Sequence, residues 1–566
     1  MMKFNLGQKN TINTIKPPLR FIAVGDGVTK NLSIYEYGDD IIAVDYGIGF
    51  PGVDDVGVDF IIPDMSYLVE NAHKVKGLLI SHAHADHFGA VPHLLKELNI
   101  PIYANKITQA YIKSMLEEKQ FKSIRENVKF HLLDPTVGEI RLGSFKVSAF
   151  GVNHSVPGSL GLVIDTPEGR ILHIADFKID PTPVLDQPMD LNKVKELSKD
   201  ILCLVSDSLG ARTKGAVPSE KTLDHTFPTL FSKYEKSQLF ITTISSNISR
   251  MYQIIDAAVK AGRRVVPTGR SIDKSVKIAR ALGYLPFSDS AFATLKEARN
   301  LTPDSIVYLI AGCFGQRGSA LDRLSRGEHR DVYLEEGAIV IFSAEPNPPG
   351  VDLDVEDVCA NFVLAGAEVI DHTNFDNLHV SGHGHREELS KIASIVNPKY
   401  YIPKGGSIVQ MHAYANMIYD MGVEKGKVFE LQEGEVIEFM DGVAKKGERL
   451  EVHDQYFDGT SVSPIVIADR RLLSQDGVFV VIVPIDDANK EVFARVDVVT
   501  RGFIYVKESG KLVGEAKNLV NSLISKSKGK NQDWGALKSK IEYSIEKYLH
   551  KETGRSPMVI VHGAKF

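Results

Sequence analysis

The chain has 566 residues, of which 43% are hydrophobic and 24% are charged, and its formal net charge is −6. At about 100–200 residues per domain this length predicts roughly three to five globular domains, and the composition excludes a mainly disordered chain. The slight acidic excess excludes a generally basic nucleic-acid coat, although it allows a local basic groove.

No segment approaches the ~18 consecutive apolar residues of a membrane helix, so we expect no membrane span. The first twenty residues lack the apolar core of a signal peptide, which favours a cytoplasmic protein. Cys203, Cys313 and Cys359 are odd in number and far apart. They therefore argue against a disulfide framework and against a cysteine-based zinc site.

The first 200 residues alternate β-rich runs with helical patterns. Apolar spacing predicts strands over Arg20–Val24, Leu32–Tyr37, Ile41–Val44, Gly77–Ile80, Phe145–Val152, Gly161–Ile164 and Ile171–Ile174. Between these strands it predicts helices over Val91–Leu98 and Ile107–Lys119. This mixture indicates two β-sheets covered by helices.

From residue 219 to 345 single strands alternate with single helices. The predicted strands are Ser237–Ile244, Arg263–Pro267 and Ser305–Ala311. The helices between them are predicted over Ser249–Ala261 and Ser271–Leu282. This alternation predicts a parallel, doubly wound sheet.

A polar connector after Glu448 separates a compact tail from the rest of the chain. In the tail we predict strands over Gly477–Pro484, Phe493–Val498 and Met558–His562, and helices over Ala516–Leu523 and Trp534–Leu549. Three strands and two helices predict a small α+β domain.

Residues 82–87, His-Ala-His-Ala-Asp-His, place three imidazoles and a carboxylate between an apolar strand and a helix. His82 and His84 can direct two nitrogens toward one ion, and Asp86 and His87 face a second ion from the following turn. Imidazole nitrogen and carboxylate oxygen favour zinc or manganese. The alternative, a histidine-rich surface loop, requires a rare chance clustering of histidines.

Later segments supply further candidate ligands. His154 follows the predicted strand that ends at Val152, and Asp176 ends another apolar strand. Asp176 could bridge two ions that hold a water between them, and the pKa of that water then falls toward neutrality. Asp45 is predicted to orient a ligand from behind. His173 is expected to pack in the core.

The motif His-x-His-x-Asp-His, with Asp45 before it and His154 and Asp176 after it, resembles the metallo-β-lactamase fold, a βα/αβ sandwich with a dinuclear metal site. Asp207, His383 and the large βα insertion between them are similar to the β-CASP group of nucleic-acid-cutting enzymes. Further segments resemble ribonuclease J over nearly the whole chain, among them GDDIIAVDYGIGFP, ITTISSNISR, LHVSGHGHREEL and TRGFIYVKES.

This resemblance implies the fold class and the order of the domains. We expect an α/β protein in which a metallo-β-lactamase sandwich carries an inserted, doubly wound β-CASP domain and is followed by a small α+β C-terminal domain. The expected metallo-β-lactamase segments are 1–210 and 374–448, with the β-CASP domain at 211–373, a linker at 449–461 and the C-terminal domain at 462–566.

The resemblance also implies a metal-dependent ribonuclease in RNA maturation and decay. It implies that a metal-bound hydroxide cleaves single-stranded RNA, with 5′-to-3′ exonuclease and endonuclease activity, while DNA stays an alternative substrate. Two Zn²⁺ ions per chain, or Mn²⁺ or Mg²⁺ instead, and a homodimer or homotetramer are expected. The implied metal ligands are His82, His84, Asp86, His87, His154 and Asp176. The implied catalytic residues are Asp86, Asp176 and His383, with Asp45 and Asp207 supporting the ligands.

Two polar turns are predicted to bind the nucleic acid. The turn 379–383 combines imidazoles, a hydroxyl and an approachable glycine backbone, and the turn 245–250 opens a helix as a phosphate cradle does. An ordinary helix cap explains Ser249 equally well. The predicted substrate-binding residues are His379, Val380, Ser381, Gly382, His383, Ser246, Asn247 and Arg250.

One segment departs from the family pattern. After a strand ending in Ile-Pro the family has a histidine that binds the second ion, whereas this chain has Lys404, Gly405 and Gly406. The next histidine, His412, comes too late and is expected on a helix. Two alternatives follow: a metal-dependent enzyme, or a catalytically weak or inactive paralogue that acts as an RNA-binding partner subunit.

Overall fold

The computed structural model describes residues 16–25, 27–52, 54–345, 351–485, 492, 495–504, 510–527 and 533–565. It divides into two compact units, residues 1–49 with 62–454 and residues 50–61 with 455–566. Most of the N-terminal segment, and residues 493 and 494 of a predicted tail strand, lie outside the described residues. Within the described part of the chain, no helix is both long and apolar enough to cross a membrane.

Two β-sheets share one core in the first unit. The eight-stranded sheet has the order Val443–Lys446, Val436–Met440, Leu19–Gly25, Leu32–Tyr37, Asp40–Val44, Val75–Leu79, Ile102–Ala104 and Phe130–Leu132. The six-stranded sheet has the order Tyr400–Lys404, Ile201–Asp207, Gly169–Ile174, Leu160–Thr166, Phe145–Gly151 and Ile140–Leu142. Both sheets contribute to one buried cluster, with Phe21 and Phe439 from the first and Phe145 and Leu162 from the second.

A central strand of the six-stranded sheet, Leu160–Thr166, is buried on both faces because its first five positions are apolar. In Leu160–Thr166, Leu162 belongs to the core between the sheets and Val163 to a second core on the opposite face. Helices Leu191–Leu197, Arg386–Val396 and Ile408–Asp420 cover that second core. The remaining helices of this part are Ser66–Glu70, Ala85–Phe88, Val91–Glu97 and Lys106–Leu116.

A five-stranded sheet follows, and every strand pair in it is parallel. Its order is Arg264–Thr268, Ile306–Ile310, Leu239–Thr242, Ile339–Phe342 and Glu368–Ile370. Its helices are Thr226–Lys233, Ile248–Lys260, Arg270–Ala281, Leu295–Ala298, Ala320–Ser325 and Asp352–Leu364. The parallel sheet predicted from the strand–helix alternation is confirmed.

The second unit contains a three-stranded sheet, in the order Asp497–Arg501, Val478–Ile485 and Met558–Lys565, with helices Pro464–Asp476, Gly510–Ser527 and Trp534–Thr553. A smaller sheet joins Thr460–Val462, Gln455–Asp458 and Phe60–Ile62. Strand Gln455–Asp458 thus lies inside the predicted linker 449–461, whose bounds stay a prediction. Aromatic residues favour strands, and Phe457 stacks on Phe60 with ring centroids 4.9 Å apart.

Candidate metal centre and nucleic-acid interface

The histidine cluster lies where an apolar strand meets a short helix. Strand Val75–Leu79 ends just before it, and helix Ala85–Phe88 begins inside it. The neighbouring loop holds this turn through backbone hydrogen bonds, since Tyr46 N donates to His87 O at 2.7 Å and Ile48 N donates to Ala85 O at 3.0 Å. These backbone hydrogen bonds thus fix the turn at the residues before and after Asp86.

His82, His84, His154 and Asp176 form the first group of candidate metal ligands. His84 Nδ1 lies 3.1 Å from His82 Nε2 and 3.0 Å from His154 Nε2. Asp176 Oδ2 lies 3.5 Å from His82 Nε2 and 3.7 Å from His154 Nε2. Ligands about 2.0–2.1 Å from a tetrahedral zinc ion are about 3.3 Å apart, so this spacing fits one ion.

Asp86, His87 and Asp176 form the second group. His87 Nε2 lies 3.4 Å from Asp86 Oδ2 and 3.2 Å from Asp176 Oδ2. Asp176 belongs to both groups, which is the position that a bridging carboxylate requires. With three side chains the second group is one short of the four donors of a tetrahedral site.

Asp45 supports the second group from behind. It accepts hydrogen bonds from Ser81 N at 2.7 Å, from Ser81 Oγ at 2.8 Å and from His87 Nδ1 at 2.8 Å. With Nδ1–H held by Asp45, the neutral ring of His87 has its lone pair on Nε2, which faces the ligand group. A second hydroxyl, Ser155 Oγ, lies 3.0 Å from His84 Nε2. The sequence reasoning missed both serines, whose only signal was a neighbouring histidine.

The electrostatics of the first group suit a cation. Burial lowers the pKa values of His82 and His154 well below the ordinary value of a histidine, and it lowers the pKa of His84 to about 4. Burial opposes the charge on Asp176, but His87 and His383 outweigh it and lower the pKa of this carboxyl. Neutral imidazoles beside an ionised carboxylate are the donor set that zinc and manganese bind.

His383 lies at the edge of the centre. Its Nδ1 is 2.8 Å from Asp207 Oδ2 and its Nε2 is 3.8 Å from Asp176 Oδ2. Burial lowers the pKa of His383, but Asp207 and Asp176 outweigh burial and raise the pKa to about 9. Gly382 O accepts from His154 Nδ1 at 2.7 Å, and a Cβ on Gly382 would lie 2.8 Å from that ring. Only glycine allows this approach.

The other side chains of the turn 379–383 make contacts within the protein, which differ from the predicted contacts with substrate. The Val380 side chain packs with Val217 and Leu223, which leaves only its backbone for the predicted substrate contact. Ser381 Oγ bonds to the backbone of His383 and thereby shapes the turn. His379 Nε2 lies 3.3 Å from Glu345 Oε2, while its Nδ1 is buried without a partner.

The turn 245–250 also differs from its prediction. Arg250 is fully buried, and its guanidinium donates to Glu220 Oε2 at 3.0 Å and to Ser343 Oγ at 2.8 Å. Asn247 is buried as well and caps helix Ile248–Lys260 by accepting from Arg250 N. The predicted phosphate contact of Arg250 is therefore corrected to an internal ion pair, whereas Ser246 is half-buried and lines a cavity.

That cavity, of about 930 Å³, includes Ala83 and Ala85 of the histidine turn in its lining. It is bordered by the polar and cationic side chains of Ser245, Ser246, Arg270, Ser271, Lys274 and Arg323. A second cavity of about 900 Å³ shares Arg270 and Arg323 with it. Sequence reasoning missed Arg270 and Lys274, because nothing in a single sequence separates them from other surface cations.

The segment that departs from the family pattern faces the centre. Gly405 has φ +70°, and a Cβ placed on it would lie 3.5 Å from Asp207 Oδ1 and 3.6 Å from Asp176 Oδ1. Lys404 Nζ donates to Gly25 O at 2.6 Å.

His412 is on helix Ile408–Asp420, as predicted. His173 is buried at 2.8 Å from the Tyr35 hydroxyl, which confirms a packed core histidine.

Family models match three parts of the chain. The model of the ribonuclease J β-CASP domain matches residues 236–362, that of the ribonuclease J C-terminal domain residues 465–564, and that of the β-lactamase superfamily domain residues 53–215. These matches, together with the sheets described above, confirm the predicted fold class.

Two similar proteins and one solved structure extend these matches. Ribonuclease J 1 of Streptococcus pyogenes is 35% identical over 94% of this chain and 95% of its own length. Ribonuclease J2 of Bacillus subtilis is 33% identical over 98% of this chain and 99% of its own length. A crystal structure of an Enterococcus faecalis protein of unknown function has a TM-score of 0.52 at 17% identity, covering 75% of this chain and 100% of that one. The latter supports the fold alone.

Proposed function

This chain belongs to the ribonuclease J family, and we propose that it hydrolyses single-stranded RNA in a metal-dependent reaction, as a 5′-to-3′ exonuclease and an endonuclease in RNA maturation and decay. The observation that carries the proposal is the pair of ligand groups joined by Asp176. The residues proposed to hold the two ions are His82, His84, His154, Asp176, Asp86 and His87. Two divalent cations at these groups, Zn²⁺ or else Mn²⁺ or Mg²⁺, supply Lewis-acid activation of water and neutralise charge on the phosphate.

The protein's own residues position the reacting groups. Asp176 spans both ligand groups, and Asp45 fixes the ring of His87 through a 2.8 Å hydrogen bond. His383 is proposed to be an imidazolium that donates a proton toward the leaving oxygen of the scissile phosphate. Asp207, at 2.8 Å from His383 Nδ1, keeps this ring oriented and supports its charge. Hydrolysis then splits one P–O ester bond and consumes one water.

The cavity beside the histidine turn supports an RNA substrate. Arg270, Lys274 and Arg323 are cations suited to backbone phosphates, and Ser245 and Ser246 offer hydroxyl donors. The two cavities share Arg270 and Arg323, so these two cations continue from the first cavity into the second, whose lining also includes acidic residues. We propose that single-stranded RNA follows this lining, with the backbone of the turn 379–383 and Ser246 nearest the scissile bond.

A second candidate function follows from the second ligand group. Because it holds three candidate ligand side chains and Gly405 adds none, its cation can be bound weakly. The protein would then be a catalytically weak or inactive paralogue that binds RNA as the partner of an active subunit. Metal content separates the two functions: two retained ions per chain support the enzyme, and one or none supports the partner.

The experiment uses three single-stranded substrates of one sequence with the zinc- or manganese-loaded protein. A linear RNA with a 5′-monophosphate should release nucleotides from its 5′ end, and a circular RNA should be cut internally. The matched DNA should be cut far more slowly if the substrate is RNA. Intact RNA from a protein that holds both ions would overturn the proposed reaction and favour the partner function.

Three further properties belong to the same proposal. The domain boundaries expected above place the metal centre in the two metallo-β-lactamase segments. The ribonuclease J C-terminal domain at 465–564 supports a homodimer or homotetramer. Free cysteines at Cys203, Cys313 and Cys359 suit the reducing cytoplasm, where we propose the protein acts.

A further inference from the structure

The second ligand group has a fourth polar side chain at ligand spacing. Asn31 Nδ2 lies 3.1 Å from His87 Nε2 and 3.5 Å from Asp86 Oδ2. Neighbouring ligands of one tetrahedral ion are about 3.3 Å apart, so the end of the Asn31 side chain stands where a ligand would.

The backbone holds Asn31 in place. Its N–H donates to Asp86 O at 3.0 Å, and its carbonyl accepts from Gly47 N at 3.1 Å. The residue is 5% exposed, and its amide makes its recorded hydrogen bonds with Asp86 and His87. A buried amide fixed against two candidate ligands is preorganised for the same cation.

The hydrogen-bond pattern shows how the amide serves with and without a cation. His87 Nδ1 donates to Asp45, so the neutral ring that binds a cation has its lone pair on Nε2. Without a cation, the Asn31 NH₂ donates to the Asp86 carboxylate and backbone carbonyl and stands against the ring edge of His87. When a cation takes the lone pair, a half-turn of the amide brings Oδ1 to the ion, because the two ends of an amide are nearly equal in shape.

We propose that Asn31 is a ligand of the second divalent cation through Oδ1, and that its NH₂ keeps Asp86 and His87 in place when no cation is bound. This inference rests on the proposed dinuclear centre. The second site then has one nitrogen and three side-chain oxygens, whereas the first has three nitrogens and one oxygen. Oxygen ligands suit Mn²⁺ and Mg²⁺ better than imidazoles do, so the second site should accept Mn²⁺ more readily than the first.

Calorimetric titration of the chelator-treated full-length protein with Zn²⁺ tests this assignment, with bound ions counted by mass spectrometry. Asn31→Leu removes both polar ends and should weaken the second binding event at least about tenfold. Asn31→Asp keeps an oxygen and adds charge, so its second event should be as tight as in the wild type or tighter. Asn105→Asp, at a similarly buried asparagine outside the centre, is the matched control and should change neither event.

The Asn31→Asp variant separates a ligand from a mere hydrogen-bond donor. If Asn31 only donates to Asp86, a second carboxylate repels Asp86 and weakens the second event, which overturns the inference. An unchanged second event in Asn31→Leu overturns it too. An unchanged first binding event shows that a variant is folded. If Asn31→Leu loses the first binding event, the result with Asn31→Asp alone tests the inference.

Wild-type RNA cleavage is measured separately, so that the two proposals fail independently. Binding of two ions that depends on Asn31, without RNA cleavage, refutes the proposed function alone. Cleavage together with Asn31 variants that bind Zn²⁺ normally refutes this inference alone.

Discussion

Replacing Gly405 with histidine should tighten the second cation. A Cβ at this position stands 3.6 Å from Asp176 Oδ1 and 3.5 Å from Asp207 Oδ1, in ordinary contact, so an imidazole has space beside the second ligand group. Changes to the groups that only support a ligand alter metal affinity about 10–100-fold, and an added imidazole should do at least as much. We expect the affinity to rise at least about tenfold, which is about 1.4 kcal/mol.

The same substitution carries a cost in stability. Gly405 has φ +70°, where a residue with a Cβ loses roughly 1–2 kcal/mol. This strain is present with and without the cation, so it lowers the free energy of unfolding but leaves the metal affinity unaffected. Gly405→Ala carries the same strain without the imidazole, and it is the matched control.

The assay is a Zn²⁺ titration of RNA cleavage for the wild type, Gly405→Ala and Gly405→His. Half-maximal cleavage should occur at the same Zn²⁺ concentration for the first two proteins and at a concentration at least about tenfold lower for Gly405→His. Equal concentrations for all three, in folded protein, would refute the argument that this loop faces the second cation.

His84→Ala should abolish RNA cleavage and release one ion per chain, because no neighbour replaces this ligand; wild-type-like cleavage after chelation and zinc repletion would refute the metal assignment. Asp176→Asn should lower the cleavage rate at least about 100-fold with the fold intact, because an amide does not bridge two cations, and an unchanged rate with two retained ions would contradict this. Burial raises the pKa of Asp186 to about 6, so the folded protein keeps a proton that the unfolded chain releases, and stability falls as the pH rises from about 4 to 6. Asp186→Asn should therefore raise the free energy of unfolding by about 2–3 kcal/mol at pH 7.5 and by less at pH 5, as measured by urea unfolding; the same gain at both pH values would exclude this cause.

Residues at strand ends were the predictable part of the centre. Asp45, Asp176 and Asp207 each lie at or just beyond the end of an apolar strand, and the strands before Asp176 and at Asp207 are parallel neighbours that end at the same edge of one sheet. His82, His84 and His87 lie within six residues, so their proximity needs no knowledge of the fold. Chemistry that is local in sequence, or that follows a strand, could therefore be predicted from one chain.

The unpredicted part depends on contacts between distant segments. Arg250 looks like a phosphate ligand in sequence, but Glu220 and the Leu378 carbonyl, far from it in the chain, hold it inside the protein. Asn31 is 55 residues from Asp86, and its type gives no metal signal. Such pairings depend on how the sheets bring distant segments together. The spacing of apolar residues along the sequence predicts strands and helices, but it does not predict these single contacts.

The central claim, a metal-dependent ribonuclease, is tested most directly by restoring a divalent cation to the chelator-treated protein and following the cleavage of single-stranded RNA while bound ions are counted. The account predicts no cleavage without cation and a rate that rises as the second ion per chain binds. Equal cleavage with and without chelator, or intact RNA when both ligand groups are filled, would contradict it.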